Sequence, residues 1–387
     1  VTPLKRLSLP SDWTLILGGI FAMNAGLAAY SALYTNFVSN DLHIRAVDLG
    51  LVESLREVPG FLTVVLAALT VRVRESHVTA AALLVMGLGL MSYVGAHDLA
   101  GLIAASLFWS LGFHLFAPLS NGLILSQAKD GLRGKFMGQS NLIAAAGTLL
   151  ATLLVLIIVK PVGLRNSFIP TGAMVLAGAA CLLLLRNKDE APRVSIVFRR
   201  RYLTYYTLTM LDGSRRQIFG TFALFLLVRI YHVDVRTITV LLLFNTVVTM
   251  ASSVPIGRII DRFGERGLLV GNYLLLTGLF AGYALVHTVF LLGVLYCIDN
   301  MLFGCSTAIT TYLGRIVTPG ELTPSLAMGS TSNHVAAVGV PVLGGIIWST
   351  FGYQFTFFVG AATCIASVLV AASIRHTAPD ALAVSVQ

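Results

Sequence analysis

Residues 47–72 read VDLGLVESLREVPGFLTVVLAALTVR, an apolar run long enough to cross a bilayer but interrupted by Glu53, Arg56 and Glu57. Their i, i+3, i+4 spacing puts the three charges on one face of a helix. The other face, Leu51, Val52, Leu55, Val58 and Leu62, is suited to lipid or to another helix. A charge near the bilayer centre costs roughly 2.5–3.5 kcal/mol, and each Leu, Val or Phe returns about 0.3–0.6. The thirteen such residues in the run leave this helix barely able to insert alone. Its charged face therefore requires a partner or an aqueous cavity, which marks it as a functional candidate.

The rest of the chain has the same character. Of 387 residues, 56% are hydrophobic and 11% charged, where a soluble domain carries about 25% charged residues. Apolar runs recur along the whole length without the alternation of a membrane barrel. The pattern predicts an all-α polytopic membrane protein with 12 transmembrane helices, at 13–38, 47–72, 77–96, 100–126, 135–159, 166–186, 202–229, 235–258, 267–287, 289–315, 325–349 and 353–375. The first span exceeds a signal-peptide core and has no clear cleavage site, so it is read as retained.

The net charge of +9 is explained by topology and calls for no nucleic-acid partner. With both termini cytoplasmic, 18 of the 26 Lys and Arg fall in cytoplasmic segments and five outside: Arg45, Lys160, Arg165, Arg229 and Arg236. Arg56, Arg215 and Arg216 lie within spans. That asymmetry obeys the positive-inside rule and fixes the orientation; the expected location is the inner (plasma) membrane, in contact with the lipid bilayer. The four cysteines all fall in spans, so no disulfide framework is implied. No spacing suits a metal, and no Walker or dinucleotide loop is present. Neither cofactor nor metal is expected, and no nucleophile–base set suggests an enzyme.

The longest polar stretch, RNKDEAPRVSIVFRRR at 186–201, lies mid-chain. Two halves are expected around it: a six-helix bundle over 1–186, a cytoplasmic linker at 187–201, and a second bundle over 202–387. Repeats support the division. Met137-Gly138-Gln139-Ser140-Asn141 before Gly147 is similar to Met328–Asn333 before Gly339. The loop at 41–48 precedes its counterpart at 231–238 by about 190 residues. Parallel six-span repeats are a transporter architecture.

Between spans eight and nine lies Gly257-Arg-Ile-Ile-Asp261-Arg262-Phe-Gly264-Glu-Arg266. It resembles the GxxxD(R/K)xGxR loop of the major facilitator superfamily. The corresponding stretch of the first half, 67–74, has neither the glycine nor the aspartate. The glycine–proline run Gly339–Gly345, with Pro341, is similar to a signature of drug–proton antiporters, though those carry it in span five. The resemblance implies the major facilitator fold, two pseudo-symmetric six-helix bundles, with Gly257, Asp261, Arg262, Gly264 and Arg266 as a gate motif.

A second charge triplet, Asp212, Arg215 and Arg216, repeats the i, i+3, i+4 spacing in span seven. In the family fold, spans four, seven and ten line a central cavity, which brings in His114, Asp299 and Asn300; His334 lies in span eleven. Four acids (Glu53, Glu57, Asp212, Asp299) face three arginines, and desolvation favours protonating an acid. Either triplet also has a purely structural reading, in which its charges neutralise each other within one helix. Because spans two and seven approach at the outer side in the family fold, their opposite charges at matching depth imply Glu53 or Glu57 paired with Arg215 or Arg216 as a gate. Trp109, Tyr30, Tyr34, Phe37, Phe219 and Tyr312 are candidates for a cavity lining, though a core role is commoner for such residues. The expected function is a monomeric secondary transporter that moves a small organic solute by alternating access, with proton-coupled efflux as the first reading. The alternatives are uptake of an organic anion through Arg56, Arg215 and Arg216, or a non-transporting membrane sensor.

Overall fold

The computed structural model of the chain describes residues 11–70, 73–127, 133–185, 198–318 and 321–374. Among these residues the regular structure is helical, with no strand. The helices are α1 (Asp12–Asn36), α2 (Ala46–Thr70), α3 (Glu75–Ser92), α4 (Leu99–Gln127), α5 (Arg133–Val162) and α6 (Phe168–Leu183). They continue as α7 (Leu203–Arg229), α8 (Val235–Leu285), α9 (Val289–Leu302), α10 (Thr307–Ile316), α11 (Leu322–Phe351) and α12 (Tyr353–Ala372). The dominance of helix follows from the solvent: in hydrocarbon every backbone N–H and C=O must be paired within the segment.

Among the described residues, nine helical stretches are long and apolar enough to span a membrane. The chain is a multi-pass membrane protein. Helix α6 has only 16 residues, and every 18-residue window of α2 or α7 holds a full charge triplet. The most apolar segment, in α5, is only 28% buried, and Ile157 there is 70% exposed. An outward apolar surface of this kind suits lipid.

Two expected boundaries differ. The segment anticipated as a loop at 257–266 is helical, and α8 runs through it with one non-helical residue, Gly264, at φ +67 and ψ 167. That backbone conformation is closed to side chains with a Cβ. Span ten is instead divided: a 3-10 turn, Phe303–Ser306, separates α9 from α10.

The chain forms two compact units. The first comprises Val1–Ile44, Leu55–Arg193 and His232–Thr246; the second comprises Arg45–Ser54, Val194–Tyr231 and Val247–Gln387. Inside the first, α3 packs on α6 and α4, and α1 packs on α5 and α6. Tyr93, fully buried, stacks on Phe168 at 4.9 Å. Inside the second, α7 packs on α11 and α12, around Phe222, Trp348 and Phe357.

The start of α2 is held in the second unit by close backbone approach. A Cβ on Gly50 would sit 2.2 Å from the Pro341 carbonyl oxygen, and one on Gly345 2.5 Å from that of Ala46. Pro341 interrupts the ladder of α11, and the next amide, Val342 N–H, donates to Ser54 Oγ at 3.2 Å. Hydroxyl repair of a proline break is what the bilayer demands. The repeated loops also share a backbone signature: His43 and His232 have φ of 52 and 54, the positive-φ residues other than glycine among those described. Leu42 N–H bonds to Phe37 O, and Tyr231 N–H to Leu226 O, both five residues back.

Candidate functional site

The first triplet lies on α2. Glu53 is buried in the second unit, whereas Arg56 and Glu57 join α4 in the first. Arg56 Nη2 lies 3.7 Å from Glu57 Oε1, and Glu57 Oε2 lies 3.6 Å from His114 Nε2. One turn before His114, Ser110 Oγ donates to the Arg56 carbonyl. His114 Nδ1 is 3.0 Å from both Ser110 Oγ and the Ser110 carbonyl. Because that carbonyl can only accept, Nδ1 carries the proton and Nε2 faces the carboxylate.

Behind this pair stands a hydrogen-bonded aromatic group. Arg56 lies over the Trp109 ring at 5.6 Å, with Nη1 3.5 Å from Tyr30 Oη. Trp109 Nε1 donates to Tyr93 Oη at 2.9 Å, and Tyr93 Oη is 2.7 Å from Ser106 Oγ. The sequence marks Trp109 and Tyr30 only as aromatics in apolar helices. Tyr93, Ser106 and Ser110 give no signal of their own there, because their roles come from the docking of α3 on α4.

In the second unit, α7 presents Asp212, Arg215 and Arg216 toward α9. Arg215 Nε is 3.1 Å from Asp212 Oδ1, and Arg215 Nη1 is 3.2 Å from Asp299 Oδ1. Arg216 Nη2 is 2.7 Å from Asp212 Oδ2. The guanidinium of Arg216 sits on the Phe303 ring at 3.7 Å. Side-chain exposure separates the four groups: 0% for Arg215 and Asp299, 5% for Asp212, and 30% for Arg216. Asp299 is fully buried, and its ion-pair partner Arg215 lies in the same unit. Tyr273 Oη lies 3.5 Å from Asp212 Oδ1. The neighbouring Asn300 spends its amide on the Tyr296 carbonyl at 2.9 Å, one turn back. His334 is half-buried on α11.

For the gate motif, Gly257, Asp261 and Arg262 fall within α8, but their side chains lie outside the described residues. Gly264 is the break already noted, and Arg266 is half-buried just beyond it. Between them Glu265, which the motif reading does not use, pairs with Arg315 Nε at 2.8 Å. A second ionic group, at the starts of α7 and α11, is absent from the sequence expectations. Glu321 Oε1 takes Arg199 Nε at 3.1 Å, and Oε2 takes Tyr202 Oη at 2.8 Å together with Arg201 Nη2. Arg201, then Tyr202, hold the Glu321 carboxyl down to about 2.

In a multi-pass helical protein, charged pairs held inside apolar helices mark a functional site by default. The sequence pattern of the Major Facilitator Superfamily matches residues 15–204 and again 203–385. The chain belongs to that superfamily. No curated protein sequence matches it. Among solved structures, the nucleoside transporter NupG superposes with TM-score 0.78 at 12% identity, covering 94% of this chain and 98% of that one. A bacterial homolog to human lysosomal transporter Spinster gives 0.70 at 12%, covering 94% and 95%. The D-xylose-proton symporter gives 0.68 at 12%, covering 93% and 96%. At these identities the likeness concerns the fold.

Proposed function

We propose that the protein is a proton-coupled secondary transporter that moves a small organic solute by alternating access, in the direction of efflux. It works as a monomer in the inner (plasma) membrane with both termini cytoplasmic. Its arms are the sequence halves 1–186 and 202–387, joined by the linker 187–201, and α2, α6 and α7 complete twelve spans. The observation that carries proton coupling is the Glu57–His114 contact, 3.6 Å between two titratable groups on helices of a transporter fold. A proton shared there changes the charge beside Arg56, and with it the cost of exposing or enclosing that face.

Purified protein is screened by thermal shift against amphipathic cations, organic anions and sugars, and the hits are tested in proteoliposomes. An imposed pH gradient should drive accumulation, and a protonophore should collapse it. Glu57→Gln should abolish gradient-driven accumulation and leave exchange of labelled solute intact. Solute movement indifferent to the gradient would remove proton coupling from this reading.

A second reading, uptake of an organic anion, is favoured by one observation. The Arg216 side chain is partly exposed and its guanidinium is backed by an aromatic ring, an arrangement suited to carboxylates and sulfonates.

A further inference from the structure

Two arginines and two aspartates make up the cluster in the second unit, so it is neutral only while both Asp212 and Asp299 are ionised. Asp212 divides its oxygens between Arg215 and Arg216. Asp299 gives one oxygen to Arg215. Its other oxygen, Oδ2, is buried without a hydrogen-bond partner among the described residues, as is Arg216 Nε. A buried carboxylate oxygen that accepts no bond is costly while charged. The groups facing Asp299 are Asp212, Arg215 and Arg216 from α7, Tyr283 from α8, Tyr296 from its own helix and Cys364 from α12. The tyrosines and the cysteine are uncharged near neutral pH, so the arginines and aspartates set the balance.

We propose that Arg216 binds a monovalent organic anion and that Asp299 takes up a proton when it does, so that anion and proton travel together. The charges close. Protonating Asp299 leaves the cluster at +1; the anion returns it to zero. Of the four groups, Arg216 alone has substantial exposed surface, so the unbalanced charge is available to a ligand there. Phe303, beneath the guanidinium, is itself 40% exposed and leaves apolar surface for the organic part of that ligand. The inference rests on the second functional reading and gives it a direction: symport, electrically neutral, driven by the proton gradient.

The test is calorimetric binding of benzenesulfonate to the purified full chain in lipid nanodiscs. This probe is charged over roughly pH 5 to 9, so any pH dependence belongs to the protein. Titrations in two buffers of different ionisation enthalpy count the protons. Binding should take up close to one proton per anion, and affinity should fall about tenfold per pH unit on the alkaline side. Neutral benzenesulfonamide should not bind. Arg216→Gln gives up its pairing with Asp212, so it should melt below wild type yet still fold, and lose at least about tenfold in affinity. Asp299→Asn, if it folds, should bind without proton uptake; if it does not, the wild-type proton count and Arg216→Gln decide. Absence of benzenesulfonate binding at millimolar concentration, binding without proton uptake, or full affinity in Arg216→Gln would overturn the proposal. Proteoliposomes separate it from the transport reading. Linked binding with no solute movement sinks transport alone, and gradient-driven transport with unlinked binding sinks this inference alone.

Discussion

Arg215 is the residue with most at stake. Its guanidinium is wholly enclosed, and its compensation comes from Asp212 and Asp299. Removing one partner of a buried pair costs about 3–5 kcal/mol, whereas replacing the whole pair by apolar groups is often tolerated. Asp299→Ala should therefore lower the melting temperature sharply, and Arg215→Met combined with Asp299→Leu should recover much of the loss. Additive melting shifts would show that the two side chains do not depend on each other. Glu321 works in the opposite setting, at the surface. Its carboxyl is held at about 2, below the ordinary 4.5, so its contribution is present above pH 4.5 and fades as pH falls toward 2. Glu321→Gln should melt a few degrees below wild type at neutral pH, with the gap closing on acidification. High salt should narrow it as well, because the ion pairs are exposed. The spacing of Asp212, Arg215 and Arg216 was legible in the sequence because it lies within one helix. The bond from Arg215 to Asp299 spans 84 residues, and those to Glu321 about 120. Such partners are chosen by helix docking, which periodicity does not encode.

Among the helices, α8 shows how little is needed to divide a span. A single residue, Gly264, leaves helical geometry, and its φ of +67 excludes a Cβ at low cost. Gly264→Ala should destabilise by about 1–3 kcal/mol. Gly271→Ala, at a helical position with open space around it, should be neutral or gain up to about 1 kcal/mol. Equal melting temperatures for the two variants would mean that the break carries no strain. At the gate motif, Asp261→Asn is expected to raise accessibility of neighbouring engineered cysteines while the protein still folds. Unchanged labelling and transport would remove the inherited latch role. Helix existence was readable from apolar runs, but the boundary was not. A motif of glycine, aspartate and arginine looks like a loop by composition, and the chain turns through it with one glycine.

At the scale of the whole molecule, the sequence made the duplication visible. The offset of about 190 residues between 41–48 and 231–238 reappears as two histidines at positive φ after five-residue-back bonds. A cysteine placed at Ser195, in the linker, should be shielded from impermeant reagent in intact cells. Labelling from outside would reverse the proposed orientation. What composition could not reveal is that the compact units do not coincide with the sequence halves. Arg45–Ser54 belongs with the second unit and His232–Thr246 with the first. Gly50 and Gly345 are fitted to backbone with no room for a side chain. For protein engineers this makes the linker a poor crossover point. A chimera joining residues 1–186 of this chain to the second half of a distant relative would import a foreign α11 against Ala46 and Gly50. Such hybrids should express well only when the donor matches at the Gly345 notch, and the two borrowed segments would have to be exchanged along with the halves they complete.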